Sequence, residues 1–430
     1  MPEKDYSSDQ SAALNRQREI YLNGAAGFKP VIPVNTTLLE SAAAKKMSRE
    51  AFTYVAGGAG TGATVAANRS AFDTWRIVPR MLKDVSVRNT ALSLLGEPLP
   101  FPLLLSPVGV LELAHPQADL AVAKAAAEVG IPFIFSSQAS VAMEKSAAVM
   151  GNNPRWFQLY WSKSDDLVES FVRRAENAGC SAIVVTLDTT ILGWRMDDLD
   201  LAYLPFLSGK GIAQYISDPV FRKLVTDSEA EPTPPRKITL SSLSLFMELT
   251  RSFPGKFMEN LRSGIPLASV RKFISIYSRP SLTWENLHFL RQKTSLPIIL
   301  KGILHPDDAR MAVERGMDGI IVSNHGGRQV DGAISTIEAL PGIVAAVGGK
   351  IPVLLDSGVR SGADMFKAIA LGADAVCIGR PYVYGLALAG KEGVEAVIRN
   401  FWADFELTMG LAGCTTLEEI RNSTLVRVGG

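Results

Sequence analysis

Short apolar runs without polar alternation recur along the second and third quarters of the chain and again toward its end. Eight of them, at residues 102–107, 132–137, 155–160, 182–188, 297–302, 319–325, 352–358 and 375–380, are rich in Val, Ile, Leu or Phe. Runs of this length and uniformity predict strands buried on both faces, as in a parallel sheet. Alanine-rich amphipathic segments lie between most of them, for example 120–129, 166–178, 306–315 and 362–370. Several close on Gly or Gly-Ala-Asp, the punctuation of a helix end. Eight such βα units predict a closed (β/α)₈ TIM barrel of the α/β class. A doubly wound open sheet is the alternative. The barrel is favoured because polar residues gather at the C-terminal strand ends: Ser106, Ser136, Gln158 with Tyr160, Thr186 with Asp188, Lys301, Ser323 with His325, Asp356 and Arg380. In a barrel these converge on one mouth.

The remaining segments predict additions to that barrel. Residues 1–35 read as a peripheral arm and 36–430 as a single barrel domain, with residues 38–87 largely helical and packed on it. From about 196 to 281 a long insertion after the fourth strand carries Phe206, Tyr215, Phe221, Phe246 and Phe273, and a Pro-rich run at 231–235. An insertion of this length at a barrel mouth reads as a lid, with a surface decoration or an oligomer contact as the other reading.

Composition narrows the function classes. The 430 residues carry a net charge of +1, which offers no electrostatic footprint for nucleic acid. Cys180, Cys377 and Cys414 form no CxxC pair, and the four histidines lack metal-ligand spacing, so no disulfide framework and no metal site is expected. The polar, acidic N-terminus, the lack of any run of about 18 apolar residues and the absence of a C-terminal peroxisomal tripeptide point to a cytoplasmic protein without a membrane span. His115 and His305 each precede a proline at a helix start and are read as entry or capping residues.

The most informative stretch is Gly319-Ile320-Ile321-Val322-Ser323-Asn324-His325-Gly326-Gly327-Arg328-Gln329. A buried-type strand delivers an imidazole and, three residues on, a guanidinium into a glycine-rich turn. A general base beside an anion receptor suits oxidation of a hydroxy acid: the base takes the hydroxyl proton and the guanidinium holds the carboxylate. At the last two strands, Asp356-Ser357-Gly358-Val359-Arg360 and Ile378-Gly379-Arg380-Pro381 predict a phosphate site, where glycines admit backbone N–H groups and the arginines add charge.

Together with Phe157-Gln158-Leu159-Tyr160, Thr186-Leu187-Asp188-Thr189 and the strand at 297–302, these motifs resemble the FMN-dependent α-hydroxy-acid oxidizing family, of the glycolate and lactate oxidase type. The resemblance extends from about residue 21 to 420. Tyr54-Val55-Ala56-Gly57-Gly58-Ala59-Gly60, Ser106-Pro107-Val108-Gly109, Leu192-Gly193-Trp194-Arg195 and Asp218-Pro219-Val220-Phe221 are most similar to the lactate 2-monooxygenase version of it. The resemblance implies FMN as cofactor. Pro107, Val108 and Gly109 would line it with backbone atoms, and Ser136, Gln158 and Thr186 would bond its ring. Lys301 would stand at the electron-rich edge, Ser323 would contribute to the cofactor site, and Asp356, Gly358, Arg360, Gly379 and Arg380 would hold the phosphate. Tyr54, Tyr160, Arg195 and Arg328 would bind substrate, and His325 would be the base, oriented by Asp188.

The implied activity is oxidation of an (S)-2-hydroxy acid, lactate-like or bulkier, to the 2-oxo acid with O2. The outcome is either release of oxo acid and hydrogen peroxide or coupled oxidative decarboxylation. The alternatives are a dehydrogenase using another acceptor, a catalytically silent flavin-binding protein, and a flavin-free aldolase with Lys301 as Schiff base. A homo-oligomer, tetramer or octamer, is implied, and no nucleic-acid or membrane partner. Two departures stand out. Thr61-Gly62 replaces an acidic pair, and Gly109 stands where glycolate oxidases carry alanine, which predicts room for bulkier substrates or altered oxygen access.

Overall fold

The computed structural model describes residues 11–227 and 239–428; the first ten residues, the Pro-rich run at 231–235 and the last two glycines lie outside that set. All eight apolar runs become strands of one closed parallel barrel: β1 (Leu103–Leu105), β2 (Phe133–Phe135), β3 (Arg155–Leu159), β4 (Ile183–Thr186), β5 (Ile298–Ile303), β6 (Gly319–Val322), β7 (Val353–Leu355) and β8 (Ala375–Ile378). Each strand pairs with its sequence neighbours, and β8 closes the ring on β1 through Val376 opposite Leu103.

The uniform apolarity of the runs has a direct cause. In β1, Leu103 and Leu105 face the layer between strands and helices, whereas Leu104 points into the barrel with Ile134, Trp156, Val184, Ile299, Ile321 and Leu354. Both faces are therefore dry, and burial of each large aliphatic side chain is worth about 1.5–3 kcal/mol. A hairpin of Leu92–Leu94 and Glu97–Leu99 closes the N-terminal end, adding Leu94 and Leu99 to the interior cluster.

Ahead of the barrel lie four helices, α1 (Ala12–Ala25), α2 (Thr36–Lys46), α3 (Arg49–Ala56) and α4 (Ala63–Asp73). Asn35 and Ser48 cap α2 and α3 through their side-chain oxygens. The arm is pinned to the last long helix: Ser11 Oγ and the Ala13 amide donate to the Glu406 carboxylate at 2.6 and 3.0 Å. The helix expected over 38–87 stops at Asp73. Trp75–Ile77 is a short strand antiparallel to Leu425–Arg427, and the amides of Val78, Arg80 and Asn89 donate to the carbonyls of Thr424, Ala412 and Thr415. The C-terminal segment thus takes the backbone groups that a helix would have satisfied internally.

The insertion is mostly helical, with Met196–Asp200, Pro219–Thr226, Leu240–Ser252, Phe257–Ser263 and Ile265–Ile276. Its centre is Tyr215, whose ring meets Phe221, Phe273 and Phe171 at centroid distances of 5.4, 4.8 and 5.0 Å. Phe171 belongs to the barrel helix Asp165–Asn177, so this aromatic cluster fastens the insertion to the barrel. Asp218 caps the next helix with one carboxylate oxygen and meets Arg174 of the barrel with the other, at 3.0 Å. Phe246 is only half-buried. Among the described residues no helix is long and apolar enough to cross a membrane.

Candidate active site

The C-terminal strand ends open into a concave cleft. Its walls come from the loops after β1, β2, β3, β4, β6, β7 and β8, from Lys301 of β5, from α3, and from Phe206 and Tyr277 of the insertion.

His325 lies one residue into the turn after Ser323-Asn324, with φ of 57°. That left-handed conformation is uncommon for a residue with a side chain and marks a site where the surroundings dictate the backbone. Ser323 Oγ accepts the His325 amide at 3.1 Å. The imidazole Nδ1 meets Asp188 Oδ1 at 2.8 Å and Thr189 Oγ1 at 3.2 Å, and Nε2 approaches the Tyr160 hydroxyl at 3.4 Å. Asp188 can come this close because Gly302, at φ of 104° in an irregularity of β5, has no Cβ; one there would sit 2.9 Å from the carboxylate. Burial pushes the His325 pKa below its ordinary value, against the opposing pull of Asp188. Burial would raise the Asp188 carboxyl, but the His325 and Lys301 charges outweigh it and hold it at about 2. An ionised carboxylate therefore backs a neutral imidazole, and it stabilises that imidazole most once a proton arrives.

Lys301, in the second half of β5, is buried. Its Nζ donates to Ser323 Oγ at 2.7 Å and pairs with Asp356 at 3.1 Å. Burial opposes its charge, but Asp356 and Asp188 prevail, and it stays protonated. Asp356 is fixed in turn by the Ser357 hydroxyl.

The guanidinium groups of Arg195 and Arg328 share one wall. Arg328 lies over the Tyr54 ring, 5.1 Å from its centroid, and donates to the carbonyls of Tyr54 and Gly57 at 2.6 and 3.0 Å. Arg195 donates to the Arg328 carbonyl and to the Gln329 side-chain oxygen, both at 3.3 Å. It does not turn to its sequence neighbours Asp197 and Asp198. Burial and the Arg195 charge depress Arg328 to about 9.

At the opposite end, Gly358 has φ of 91°, and a Cβ there would lie 2.1 Å from the Asn68 carbonyl; the glycine lets α4 pack on this loop. Asn68 and Asn324 exchange amide hydrogen bonds at 2.8 and 2.6 Å, which ties α4 to the His325 turn as well. Arg360 and Arg380 are half-buried, and desolvation depresses both, Arg380 to about 10. Arg380 donates to the carbonyls of Val55, Gly326 and Gly57. Pro107, Val108, Gly109 and Gly379 line the cleft between the two ends, beside Ser106, whose buried hydroxyl has no hydrogen-bond partner among the described residues.

The residues present fit FMN. Half-buried arginines whose bonds go to carbonyls favour an anion at one end, and the Ser106 hydroxyl and the buried Lys301 ammonium line the rest. Tyr54, Tyr160, Arg195, His325, Arg328, Lys301, Asp356, Gly358, Arg360, Gly379 and Arg380 all line this one cleft. Ser136, Gln158, Thr186, Asp188 and Ser323 do not. The first three form a chain across β2, β3 and β4, Ser136 Oγ to Gln158 Oε1 at 3.2 Å and Gln158 Nε2 to Thr186 Oγ1 at 3.1 Å. The space expected beside Gly109 is also taken: a Cβ there would stand 3.0 Å from Gln138 Cβ and 3.1 Å from its carbonyl oxygen.

Sequence reasoning missed Thr189, Gln138, Gln329, Phe206 and Tyr277. Thr189 and Gln329 sit inside motifs read for other residues, so adjacency was a usable signal. Phe206 and Tyr277 reach the cleft through the fold of the insertion, which no local pattern encodes. His305 and His115 accept backbone amides two residues on, as their capping assignment requires.

The chain matches the FMN-dependent dehydrogenase family over residues 43–427. It is 42% identical to an L-lactate oxidase of Lysinibacillus sphaericus, covering 93% of this chain and 94% of the relative. It is 41% identical to an FMN-dependent alpha-hydroxy acid dehydrogenase of Penicillium citrinum, covering 96% and 95%. A solved structure of mandelate oxidase with (S)-4-hydroxymandelic acid matches with a TM-score of 0.76 at 36% identity, over 92% of this chain and 99% of that one.

Proposed function

The chain belongs to the FMN-dependent dehydrogenase family and is an FMN-dependent oxidoreductase of 2-hydroxy acids; on that premise we propose that its substrate is an (S)-2-hydroxy acid with an apolar side chain, lactate-sized or larger, and that oxygen is its electron acceptor. The observation that carries this reading is the geometry of His325. One imidazole nitrogen is bound to Asp188, and the other stands beside the Tyr160 hydroxyl on the cleft wall that also holds Arg195 and Arg328.

Arg328 and Arg195 grip the substrate carboxylate, with the Tyr54 phenol as neutral donor. That grip brings the substrate hydroxyl to Tyr160 and His325 Nε2. His325 takes the hydroxyl proton at Nε2 as the α-hydrogen departs, and Asp188 stabilises the resulting imidazolium. When bound, FMN supplies the two-electron acceptor for the carbinol carbon and passes those electrons to oxygen. Arg360, Arg380 and the backbone at Gly358 and Gly379 would hold its phosphate end, with Asp356 serving as the partner of Lys301. Lys301 stands toward its electron-rich edge, kept there by Asp356 and Ser323. Pro107, Val108 and Gly109 would line it with backbone, while Ser136, Gln158 and Thr186 bond to one another outside the cleft lining. Phe206 and Tyr277 cover the mouth, so the insertion acts as the lid.

Lid retention decides the product. A 2-oxo acid released at once leaves with hydrogen peroxide as co-product. One held back reacts with the peroxide to give the acid one carbon shorter, CO2 and water. The test is an anaerobic screen of 2-hydroxy acids for loss of flavin absorbance, followed by product analysis in air. Bleaching by (S)-acids alone, and oxygen consumption at the bleaching rate, are expected. A flavin that bleaches but reoxidises only with a dye would replace oxygen by another acceptor. A flavin that no 2-hydroxy acid bleaches would end the reading.

A further inference from the structure

We propose that Gln329 is a positioning residue for this reaction, its single amide clipping the 188–195 loop to the 325–329 turn and so setting both the Asp188–His325 contact and the aim of Arg195. The inference rests on the functional reading above.

Residues 187–195 form no helix or strand, yet they carry Asp188, Thr189 and Arg195. Their placement needs an outside support, and the Gln329 side chain supplies it at four points. Its Nε2 donates to the carbonyls of Asp188 and Ile191 at 2.7 and 2.8 Å. Its Oε1 accepts from the Gly193 amide at 3.4 Å and from Arg195 Nη2 at 3.3 Å. Every donor and acceptor direction of the amide is thereby used, and the flipped amide would set its NH2 against N–H donors and its oxygen against carbonyls. The loop lies flat on the turn: a Cβ at Gly193 would stand 2.5 Å from the Arg328 carbonyl oxygen and 2.9 Å from Gln329 Cα. Arg195 Nε completes the clip by donating to that same Arg328 carbonyl.

The clip therefore joins the loop that carries the base's carboxylate and one carboxylate-binding arginine to the turn that carries the base and the other. A side chain with this connectivity acts on substrate without touching it, and no other side chain among the described residues bonds Asp188, Ile191, Gly193 and Arg195 together.

The test uses the FMN-loaded full chain. Gln329→Met keeps the volume and removes all four bonds. Gln329→Glu keeps the acceptors toward Gly193 and Arg195 but sets a carboxylate oxygen against two carbonyls. Binding of the 2-oxo acid product is followed by calorimetry, alongside kcat, KM, FMN content and Tm. Loss of a hydrogen bond to a charged group predicts a Kd increase of roughly 10-fold for Gln329→Met, with a lower kcat and unchanged FMN content. On an Arg195→Lys background the same substitution should raise Kd much less, because the arginine it aims is gone. A full 10-fold effect on that background, or wild-type Kd with a lowered Tm, would reduce Gln329 to a loop-stabilising residue and overturn the proposal. If Gln329→Met does not fold, Gln329→Glu and its pairing with Arg195→Lys decide on the same criteria. A wild-type enzyme that binds no 2-oxo acid and turns over no 2-hydroxy acid would instead strike the functional reading itself.

Discussion

Arg328 and Arg380 donate to one carbonyl oxygen, that of Gly57, at 3.0 and 2.8 Å. The turn after α3 is thus held between the arginine assigned to the substrate carboxylate and the arginine assigned to the cofactor phosphate. Arg328 also uses the Tyr54 carbonyl and stacks on its ring. A lysine offers one point charge where the fork makes two bonds and a stacked face. Arg328→Lys should therefore raise KM by roughly 10-fold or more, while FMN stays bound through Arg360 and Arg380. Arg380→Lys should show the reverse order, with FMN lost on dilution before KM changes. Equal effects of both substitutions on KM and FMN retention would show that the two ends of the cleft are not separable through this turn.

The Asp188–His325 pair sets a pH dependence. In the proposed mechanism the competent base is the neutral imidazole. Burial places the His325 pKa below its ordinary value of ~6.5, so kcat/KM should fall only as pH drops through a value under ~6.5. Asp188 opposes that depression. Asp188→Asn removes the opposition, so the acid limb should move to lower pH while the plateau drops, since the imidazolium loses its partner. His325→Gln should drop anaerobic flavin reduction by about 10²–10⁴-fold with FMN retained. An acid limb that moves up in Asp188→Asn would contradict the assigned pairing.

The barrel was legible because its strands are dry on both faces, so each announces itself as an unbroken apolar run. The polar strand ends were legible for the same reason: Lys301 and His325 interrupt patterns that otherwise forbid them. The segment after Asp73 was not. Ile77 and Val78 could have continued a helix or entered a strand, and partners at Leu425–Arg427, more than 300 residues away, decided for the strand. Gly109 misled for a related reason. A missing methyl group reads as space, but sequence does not show that Gln138 fills it. The Gln329 clip was hidden because its partners are three backbone groups and one side chain of a distant loop, and backbone groups carry no sequence signature.

Lys301 and Asp356 form a buried ion pair. Removing one member leaves the other charge without its partner, which costs about 3–5 kcal/mol, whereas replacing both with apolar groups is often close to neutral. Lys301→Met should accordingly lower Tm clearly, and Lys301→Met with Asp356→Leu should recover much of the loss. Both should remain poor catalysts, because the cation that the proposed mechanism places beside the cofactor is absent from each. A double variant as unstable as the single one would mean that Asp356 is stabilised chiefly by Ser357 and not by Lys301.

Gly109 packs directly against Gln138. The Gln138 backbone cannot withdraw from an added methyl group: its carbonyl accepts the Val110 amide at 2.9 Å, and Gly211 of the insertion packs against the same oxygen. Val110 itself holds a φ of 56°, which leaves little freedom on the other side. Gly109→Ala should therefore act as overpacking, at a cost of about 1–3 kcal/mol, read as a lower Tm with FMN in excess. Because Gln138 lines the cleft, its displacement toward the cleft should also lower kcat/KM for the larger 2-hydroxy acids more than for lactate. A variant with wild-type Tm and a selective loss of large substrates would mean that the methyl group enters the cleft instead, and that this glycine does open room for the substrate.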